Sequence, residues 1–265
     1  MIMRKSIKKI LNGLGVLGVL TNFKHKYFPT EGQKAEQRAH PVRLKFYKQF
    51  VHKGALCFDV GANMGNRTEV FLDLGARVVA VEPQKACYET LRVKYGKRIH
   101  LITKGLGEKE GTATFFVSSS TEFSSFAKDW VDSVQEGRFS GVHNWNKTET
   151  IEMTTLDNLI KEYGVPDFCK IDVEGYELEV LKGLSRPVGM VSIEYTVPEQ
   201  TEKSVACIEQ LSKIGKVKCN YSKWETMQFA LDKWISPEEM IGILRSKDFI
   251  DTKWGDIYIS FDEKK

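Results

Sequence analysis

The sequence predicts an α/β fold with a mostly parallel sheet and helices on both faces. Short apolar runs alternate with segments of helical periodicity from about residue 55 onwards, which is typical of strands joined by crossover helices. The first run, residues 55–60, is apolar apart from Asp59, as expected of a strand buried on both faces of a sheet. It leads into a glycine turn, and ligands of open parallel sheets bind beyond such strand ends.

Local patterns predict the elements that follow. Residues 66–74 carry Val70, Phe71 and Leu74 at helical spacing, so a helix follows the turn. Residues 77–83 form the next apolar run, which reaches Glu82 and stops at a proline. The remaining predicted elements are helices 84–96, 174–184, 201–214 and 237–245, a strand ending at Asp172, and strands 99–103, 110–117, 150–153, 189–195, 216–221 and 255–261.

The turn runs from Gly61 through Asn63 to Gly65 and predicts a nucleotide-type cofactor site. Glycines let the backbone turn sharply and approach a ligand, and an acid such as Glu82 can accept hydrogen bonds from both ribose hydroxyls. The G-x-x-x-G spacing differs from the G-x-G-x-x-G of nicotinamide and flavin enzymes. Asp59 beside the turn suits S-adenosylmethionine, which carries an amino group and a sulfonium but no phosphate. A nicotinamide-dependent oxidoreductase is the alternative, and so is a turn without a ligand.

Two motifs resemble a known class of enzymes. The D-x-G-x-x-x-G pattern of Asp59, Gly61 and Gly65 resembles the first motif of the class I S-adenosylmethionine-dependent methyltransferases. Residues 170–183 (KIDVEGYELEVLKG) resemble the signature of the FkbM family within that class.

Two shorter segments extend the resemblance. Residues 154–159 (TTLDNL) are similar to the T-L-D-x-L segment that precedes the signature in that family, and Ser124 and Ser125 fall in its serine-rich stretch. The resemblance implies a Rossmann-like fold with a seven-stranded sheet and S-adenosylmethionine as methyl donor. It also implies methyl transfer, usually to a hydroxyl of a sugar, polyketide or lipid-linked glycan.

Seven residues are candidates for binding that cofactor. Gly105 follows the third predicted strand, where the adenine end of the cofactor would lie, and Asp172 would lie near the methyl group. The candidates are Asp59, Gly61, Asn63, Gly65, Glu82, Gly105 and Asp172.

Three acids follow neighbouring predicted strands. Residues two apart on a strand face the same way, so Lys170, Asp172 and Glu174 share a side if the strand stays extended. Glu194 ends the next strand. Carboxylates at neighbouring strand ends repel one another, which raises at least one pKa or invites a cation. We therefore expect Asp172, Glu194 and Glu174 to line the reaction centre.

Structural roles are open for the same residues. Glu174 would begin the helix 174–184, where a carboxylate complements the helix dipole, and Lys170 and Asp172 would form an architectural ion pair. Oxygen ligands suit hard cations, but no histidine accompanies these acids, so we assign no metal site. A hydroxyl acceptor needs a base, for which the candidates are Asp172, Glu194 and His143, although a lone loop histidine is more often a surface residue.

The predicted domain covers residues 51–265, with a lid-like insertion at about 118–150 that is rich in serine and aromatic residues. Residues 1–50 form an arm. Its first 26 residues hold six basic residues and no acid, and apolar residues of segment 7–17 share one helical face. This pattern indicates peripheral contact with an anionic membrane surface. The apolar core of 11 residues is too short to span a bilayer, which needs about 20. A secretory signal and a packed or frayed segment are the alternatives.

Charge and cysteine content bear on partners and location. The whole chain has 39 Lys and Arg against 35 Asp and Glu, so residues 27–265 are nearly neutral and have no footprint for nucleic acid. We expect a small-molecule or glycan acceptor. The five cysteines form no C-x-x-C pair, which favours a cytoplasmic protein, with membrane association at the cytoplasmic face. A non-catalytic protein that binds the cofactor or a glycan at a membrane is a further alternative.

Overall fold

The computed structural model describes residues 30–136 and 144–262, and for Gln33 only the backbone. The chain divides into two compact units, residues 1–43 and 44–265. The predicted boundary lies later, after residue 50. Phe46 and Tyr47 account for the difference, because both are buried in the core of the second unit. The predicted membrane-binding segment 1–26 lies outside the described residues. Within the described ranges, no helix is long and apolar enough to cross a membrane.

Helices and strands alternate along most of the described chain, except that the third, fourth and fifth strands follow one another and two helices precede the last strand. Two short 3-10 helices occupy Gly96–Arg98 and Thr121–Phe123. In chain order the other elements are α1 (Glu31–Tyr47), β1 (Leu56–Val60), α2 (Asn66–Asp73), β2 (Arg77–Val81), α3 (Lys85–Tyr95), β3 (Ile99–Ile102), β4 (Gly105–Leu106), β5 (Gly111–Val117), α4 (Lys128–Glu136), β6 (Lys147–Thr154), α5 (Leu156–Tyr163), β7 (Phe168–Ile171), α6 (Glu177–Lys182), β8 (Met190–Thr196), α7 (Thr201–Ile214), β9 (Val217–Lys223), α8 (Pro237–Leu244), α9 (Lys247–Ile250) and β10 (Trp254–Phe261).

The main sheet has seven strands in the order β3-β2-β1-β7-β8-β10-β9. β3, β2, β1, β7 and β8 are parallel, and β10 is antiparallel to both of its neighbours. The predicted α/β fold with a seven-stranded, mostly parallel sheet is therefore confirmed. The chain adds strands outward from β1 on one side and then returns to add β7 on the other. The carboxyl ends of β1 and β7 consequently form the topological switch point at which such sheets bind ligands.

Both faces of the main sheet are buried, but they differ in polarity. One face contributes Phe58, Val60, Ile171 and Ile193 to an apolar core. The opposite face combines aromatic residues with a buried polar row that crosses adjacent strands. Register places in that row Asp59, Lys170, Ser192, Tyr258 and Asn220. Burying polar groups is costly unless they are paired. A buried polar row therefore indicates that this face of the sheet, rather than the apolar one, carries the functional side chains.

A three-stranded sheet, β4-β6-β5, borders the predicted insertion, because β5 ends at Val117 and β6 begins at Lys147. β6 begins at Lys147 and pairs antiparallel with β5, so this strand is longer than the predicted 150–153. Polar residues alternate through the exposed part of β6, which hides its strand character in the sequence. Helix α4 supplies a small core that contains the side chains of Ala127, Trp130, Val131, Val134 and Trp145.

Candidate active site

The glycine turn lies at the switch point and is shaped by residues with positive φ. Gly61 has φ 81°, Asn63 has φ 46° and Gly65 has φ 84°, a region that glycine adopts without steric cost. A Cβ on Gly61 would overlap the carbonyl oxygen of Asp172 and lie 2.9 Å from its carbonyl carbon. The turn after β1 therefore rests directly against the chain that leaves β7.

Glu82 holds the turn from the end of β2. Its Oε2 accepts a hydrogen bond from the Asn63 backbone N–H at 2.8 Å, and its Oε1 accepts one from the Gln84 N–H at 2.7 Å. Burial raises the pKa of Glu82 to about 7. Each carboxylate oxygen has a second lone pair, so the group is fixed in place and can still accept hydroxyl donors. This arrangement fits the predicted ribose site.

Asp59 is buried beneath the turn, with 2% of its surface exposed. Its Oδ2 accepts a hydrogen bond from Thr68 Oγ1 at 2.5 Å, which ties α2 to β1. Burial raises the pKa of this carboxyl, although the Thr68 hydrogen bond and Lys170 oppose the rise. Asp59 thus supports the turn from below, and its direct contact with a cofactor stays a prediction.

Lys170 and Asp172 form the expected ion pair, with Nζ and Oδ2 2.6 Å apart. Lys170 is buried, whereas about a third of the Asp172 side chain is exposed. Burial by itself would raise the pKa of Asp172, but the charge and hydrogen bond of Lys170 outweigh burial and lower it. Asp172 is therefore ionised at neutral pH.

Three acids converge just beyond the ends of β7 and β8. Carboxylate oxygens of Asp172, Glu174 and Glu194 all lie within 4.8 Å of one another. The pKa values of Glu174 and Glu194 both lie well above the usual range for glutamate. Burial is the largest cause, and the negative charge of Asp172 is the second. This agrees with the rise that like charges at neighbouring strand ends predict. We refer to Asp172, Glu174 and Glu194 as the acidic cluster.

Comparison with known proteins identifies the family. A model described as the methyltransferase FkbM domain matches residues 59–250. The chain belongs to the FkbM methyltransferase family. It is thus an S-adenosylmethionine-dependent methyltransferase, and the nicotinamide-dependent alternative is wrong.

The other comparisons are remote. A search of curated proteins gave no match. Among solved structures, the FkbM domain is similar to a precorrin-6y C5,15-methyltransferase from Geobacter metallireducens, with 12% identity, a TM-score of 0.42 and coverage of 84% of this chain and 87% of that chain. It is also similar to a TehB-like SAM-dependent methyltransferase from Corynebacterium glutamicum, with 8% identity, a TM-score of 0.43 and coverage of 83% and 88%. These similarities add nothing to the family assignment.

Glu174 in the FkbM domain does not begin a helix, which corrects the predicted helix 174–184. It has φ 56° in a turn, and α6 begins at Glu177. Glu177 stabilises this turn, because its Oε1 accepts hydrogen bonds from the N–H groups of Val173 at 3.0 Å and Gly175 at 3.2 Å. Gly175 has φ 86°, and a Cβ there would lie 2.7 Å from Trp130 Cδ1, so the turn requires glycine at this position. The carboxylate that complements the dipole of this helix is therefore Glu177, in the first turn of α6, rather than Glu174.

A pocket adjoins the acidic cluster on the side of α7. Lys203 donates a hydrogen bond to the Gly175 carbonyl oxygen at 3.1 Å and forms an ion pair with Asp129 at 2.6 Å. Gln200 is 8% exposed, and its Oε1 has no hydrogen-bond partner in the described part of the chain. The lining residues are Gly175, Glu177, Glu194, Thr196, Gln200, Lys203, Ser204 and Cys207. The sequence carries no local signal for Gln200 or Lys203.

Two charged residues that the sequence did not reveal, Asp256 and Arg67, lie near Lys170. Asp256 in β10 is buried, and its Oδ2 accepts a hydrogen bond from Tyr258 at 3.3 Å. Arg67 donates from Nε to Tyr47 at 3.2 Å and pairs with Glu225. Asp172 and Asp256 attract the Lys170 ammonium group, whereas Arg67 repels it. Asp256 within an apolar run was the one available sequence signal.

The remaining predicted residues are placed as follows. Gly105 lies in β4, where a Cβ would be 2.6 Å from both Phe126 Cζ and Met153 Sδ, so packing explains this glycine and its adenine contact stays a prediction. Ser125 Oγ donates to the Glu174 carbonyl oxygen at 2.6 Å, which brings the serine-rich stretch to the acidic cluster. The candidate base His143 lies outside the described residues.

Proposed function

We propose that this FkbM protein methylates a hydroxyl oxygen of a sugar, glycan, lipid or polyketide-type acceptor. The observation that carries the proposal is the convergence of Asp172, Glu174 and Glu194 at the switch point, beside the glycine turn. An oxygen nucleophile must lose its proton as the new C–O bond forms, and carboxylates at that place can receive it.

The residues for the methyl donor surround the turn. S-adenosylmethionine, when bound, supplies a methyl group on a sulfonium, which needs no further activation. Gly61, Asn63 and Gly65 shape the wall beneath the methionine part, and Glu82 accepts the ribose hydroxyls. Asp172, ionised beside Lys170, contributes negative charge close to the turn.

The acidic cluster serves the acceptor side of the site. The hydroxyl lies between the methyl group and the cluster, so that its proton passes to a carboxylate while the methyl group moves to its oxygen. Glu194 ends β8 and lines the adjoining pocket, which gives an acceptor room to approach it. The near-neutral charge of residues 27–265 supports a glycan or small molecule rather than nucleic acid as acceptor.

Transfer of labelled methyl groups tests this function. The full chain is incubated with methyl-labelled S-adenosylmethionine and extracted glycans, lipids and polyketides. We expect label in a product that resists mild alkaline hydrolysis, as a methyl ether does and a methyl ester does not. Label found on nitrogen would contradict O-methylation. Absence of label with every acceptor, although S-adenosylhomocysteine stabilises the protein, would favour the non-catalytic alternative.

A Glu194→Gln variant tests the role of the cluster. We expect kcat to fall by about 10²–10⁴-fold, the usual contribution of a positioned general base, while the affinity for S-adenosylhomocysteine stays unchanged. Glu152→Gln is the matched control, because Glu152 lies on the small sheet and is largely exposed. Equal activity of the two variants would exclude Glu194 from the reaction.

The proposed membrane contact through residues 1–26 is a separate matter. Its basic residues and apolar helical face favour anionic lipid. Binding is measured by sedimentation of the full chain with vesicles. Vesicles of phosphatidylserine and phosphatidylcholine are compared with vesicles of phosphatidylcholine alone. Equal sedimentation with both would contradict the proposal.

A further inference from the structure

The acidic cluster holds more carboxyl groups than the cationic side chains around it can pair with. Lys170 pairs with Asp172, and Lys203 is engaged by Asp129 and by the Gly175 carbonyl oxygen. Among the described residues, no N–H or ammonium group forms a hydrogen bond to the carboxylate of Glu174 or Glu194. Two half-buried carboxylates beside a third therefore lack a cationic partner from the protein.

Gln200 provides an independent observation. Its side chain is more than nine-tenths buried and lines the same pocket as Glu194, yet its Oε1 has no donor in the described part of the chain. A buried amide oxygen without a partner costs about 1–3 kcal/mol. An occupant that attracts oxygen lone pairs would remove this cost.

The geometry of the cluster matches one small ion. Ligand oxygens lie 2.0–2.1 Å from Mg²⁺ and 2.3–2.6 Å from Ca²⁺, so oxygens on opposite sides of such an ion are about 4.0–5.2 Å apart. The oxygens of Asp172, Glu174 and Glu194 lie within 4.8 Å of one another. An ion at their centre would therefore lie at most about 2.8 Å from each oxygen, so small movements of the side chains bring all three into contact with it.

We propose that Asp172, Glu174 and Glu194 bind a hydrated divalent cation of the Mg²⁺ or Ca²⁺ type, with Gln200 Oε1 facing its water shell. Hard cations prefer carboxylate and amide oxygens, which is the donor set present here. The absence of histidine and cysteine from the cluster disfavours softer metals.

The cation would also act on the acceptor, and this part rests on the proposed O-methylation. An acceptor hydroxyl that replaces one water would be held at a fixed distance from the turn. The positive charge would lower the pKa of that hydroxyl, so that its proton leaves more readily. Cation binding itself does not depend on the identity of the acceptor.

Manganese titration of the full chain tests the site, because free Mn²⁺ has a sharp paramagnetic resonance signal that binding broadens. We expect one Mn²⁺ per chain, displaced by excess Mg²⁺. Glu194→Gln and Glu174→Gln should each weaken binding at least tenfold, and Glu152→Gln should leave it unchanged. No binding to the wild-type chain up to about 1 mM, the weak end for such sites, would overturn the proposal. Unchanged affinity in both cluster variants would do the same.

Two further measurements keep the outcomes separate. Stabilisation by S-adenosylhomocysteine shows that each variant is folded, and either cluster variant suffices for the test. Methyl transfer that a chelator leaves unchanged, in protein that binds no Mn²⁺, would overturn the cation site and support the proposed function. Mn²⁺ binding that is lost in the cluster variants, without methyl transfer to any hydroxyl, would support the site and contradict the proposed function.

Discussion

Replacing Gly61 by alanine tests the contact between the turn and the exit of β7. The added Cβ would lie 2.9 Å from the carbonyl carbon of Asp172, whereas carbon atoms in contact are about 3.5–4.0 Å apart. The contact with the carbonyl carbon alone requires the two segments to separate by roughly 0.6–1.1 Å, and the overlap with the carbonyl oxygen requires more. Such overpacking costs about 1–3 kcal/mol, and φ 81° costs a residue with a Cβ about 1–2 kcal/mol more. We expect a total loss of about 2–5 kcal/mol in the free energy of unfolding.

Gly54→Ala is the matched control for this prediction. Gly54 has φ 85°, and a Cβ there would meet nothing within 4 Å, so only the backbone cost of about 1–2 kcal/mol applies. Urea denaturation of both variants measures the difference. Gly61→Ala should also bind S-adenosylhomocysteine more weakly and lose about 10²-fold in turnover, because Asp172 moves by about 1 Å. Equal destabilisation of the two variants, with unchanged binding, would refute the close contact as a constraint.

Three further substitutions have expected outcomes. Burial raises the pKa of Glu82 to about 7. Its ionised fraction, and with it the affinity for S-adenosylhomocysteine, should therefore rise about tenfold between about pH 6 and pH 8. In calorimetric titrations, Glu82→Gln should bind S-adenosylhomocysteine weakly at every pH. Thr68→Val removes the hydroxyl that bonds Asp59 and should cost about 1–3 kcal/mol in urea denaturation. Lys170→Met leaves Asp172 without its partner and should cost about 3 kcal/mol, the lower end for buried pairs, because that carboxylate is partly exposed.

Two of these substitutions have a matched control. Thr90→Val removes an exposed hydroxyl that bonds within its own helix, and Lys182→Met removes one partner of the exposed pair with Glu179. Both should change stability by less than about 0.5 kcal/mol. If Thr68→Val is as stable as Thr90→Val, the reasoning about Asp59 fails. If Lys170→Met is as stable as Lys182→Met, the reasoning about Asp172 fails. It fails for Glu82 if its glutamine variant keeps the pH dependence of the wild-type protein.

The sequence predicted the main sheet because its strands are buried on both faces. Runs such as residues 78–81 are apolar throughout, and short apolar runs between helical segments leave few other arrangements. β6 was only half predicted, since its side chains are polar and largely exposed and its pairing with β5 is not encoded by an apolar pattern. Helix α4 was missed for a related reason, because its aromatic residues pack on a small local core rather than on the sheet.

The acidic cluster could be predicted from one geometric rule. Parallel strands end at the same edge, so acids that follow adjacent strands meet there, and the structure brings Asp172 and Glu194 together accordingly. Gln200 and Arg67 could not be predicted in the same way. Gln200 approaches the site through a turn after β8, and Arg67 reaches it from α2, so their positions depend on how whole elements pack.

The switch point links the donor and acceptor sides of the site mechanically. Gly61 touches the carbonyl group of Asp172, and the side chain of the same aspartate belongs to the acidic cluster. Lys170 fixes that side chain from the buried face of the sheet. A shift of the turn therefore moves Asp172, because no flexible segment separates the two. Substitutions that disturb the turn should accordingly weaken catalysis as well as cofactor binding.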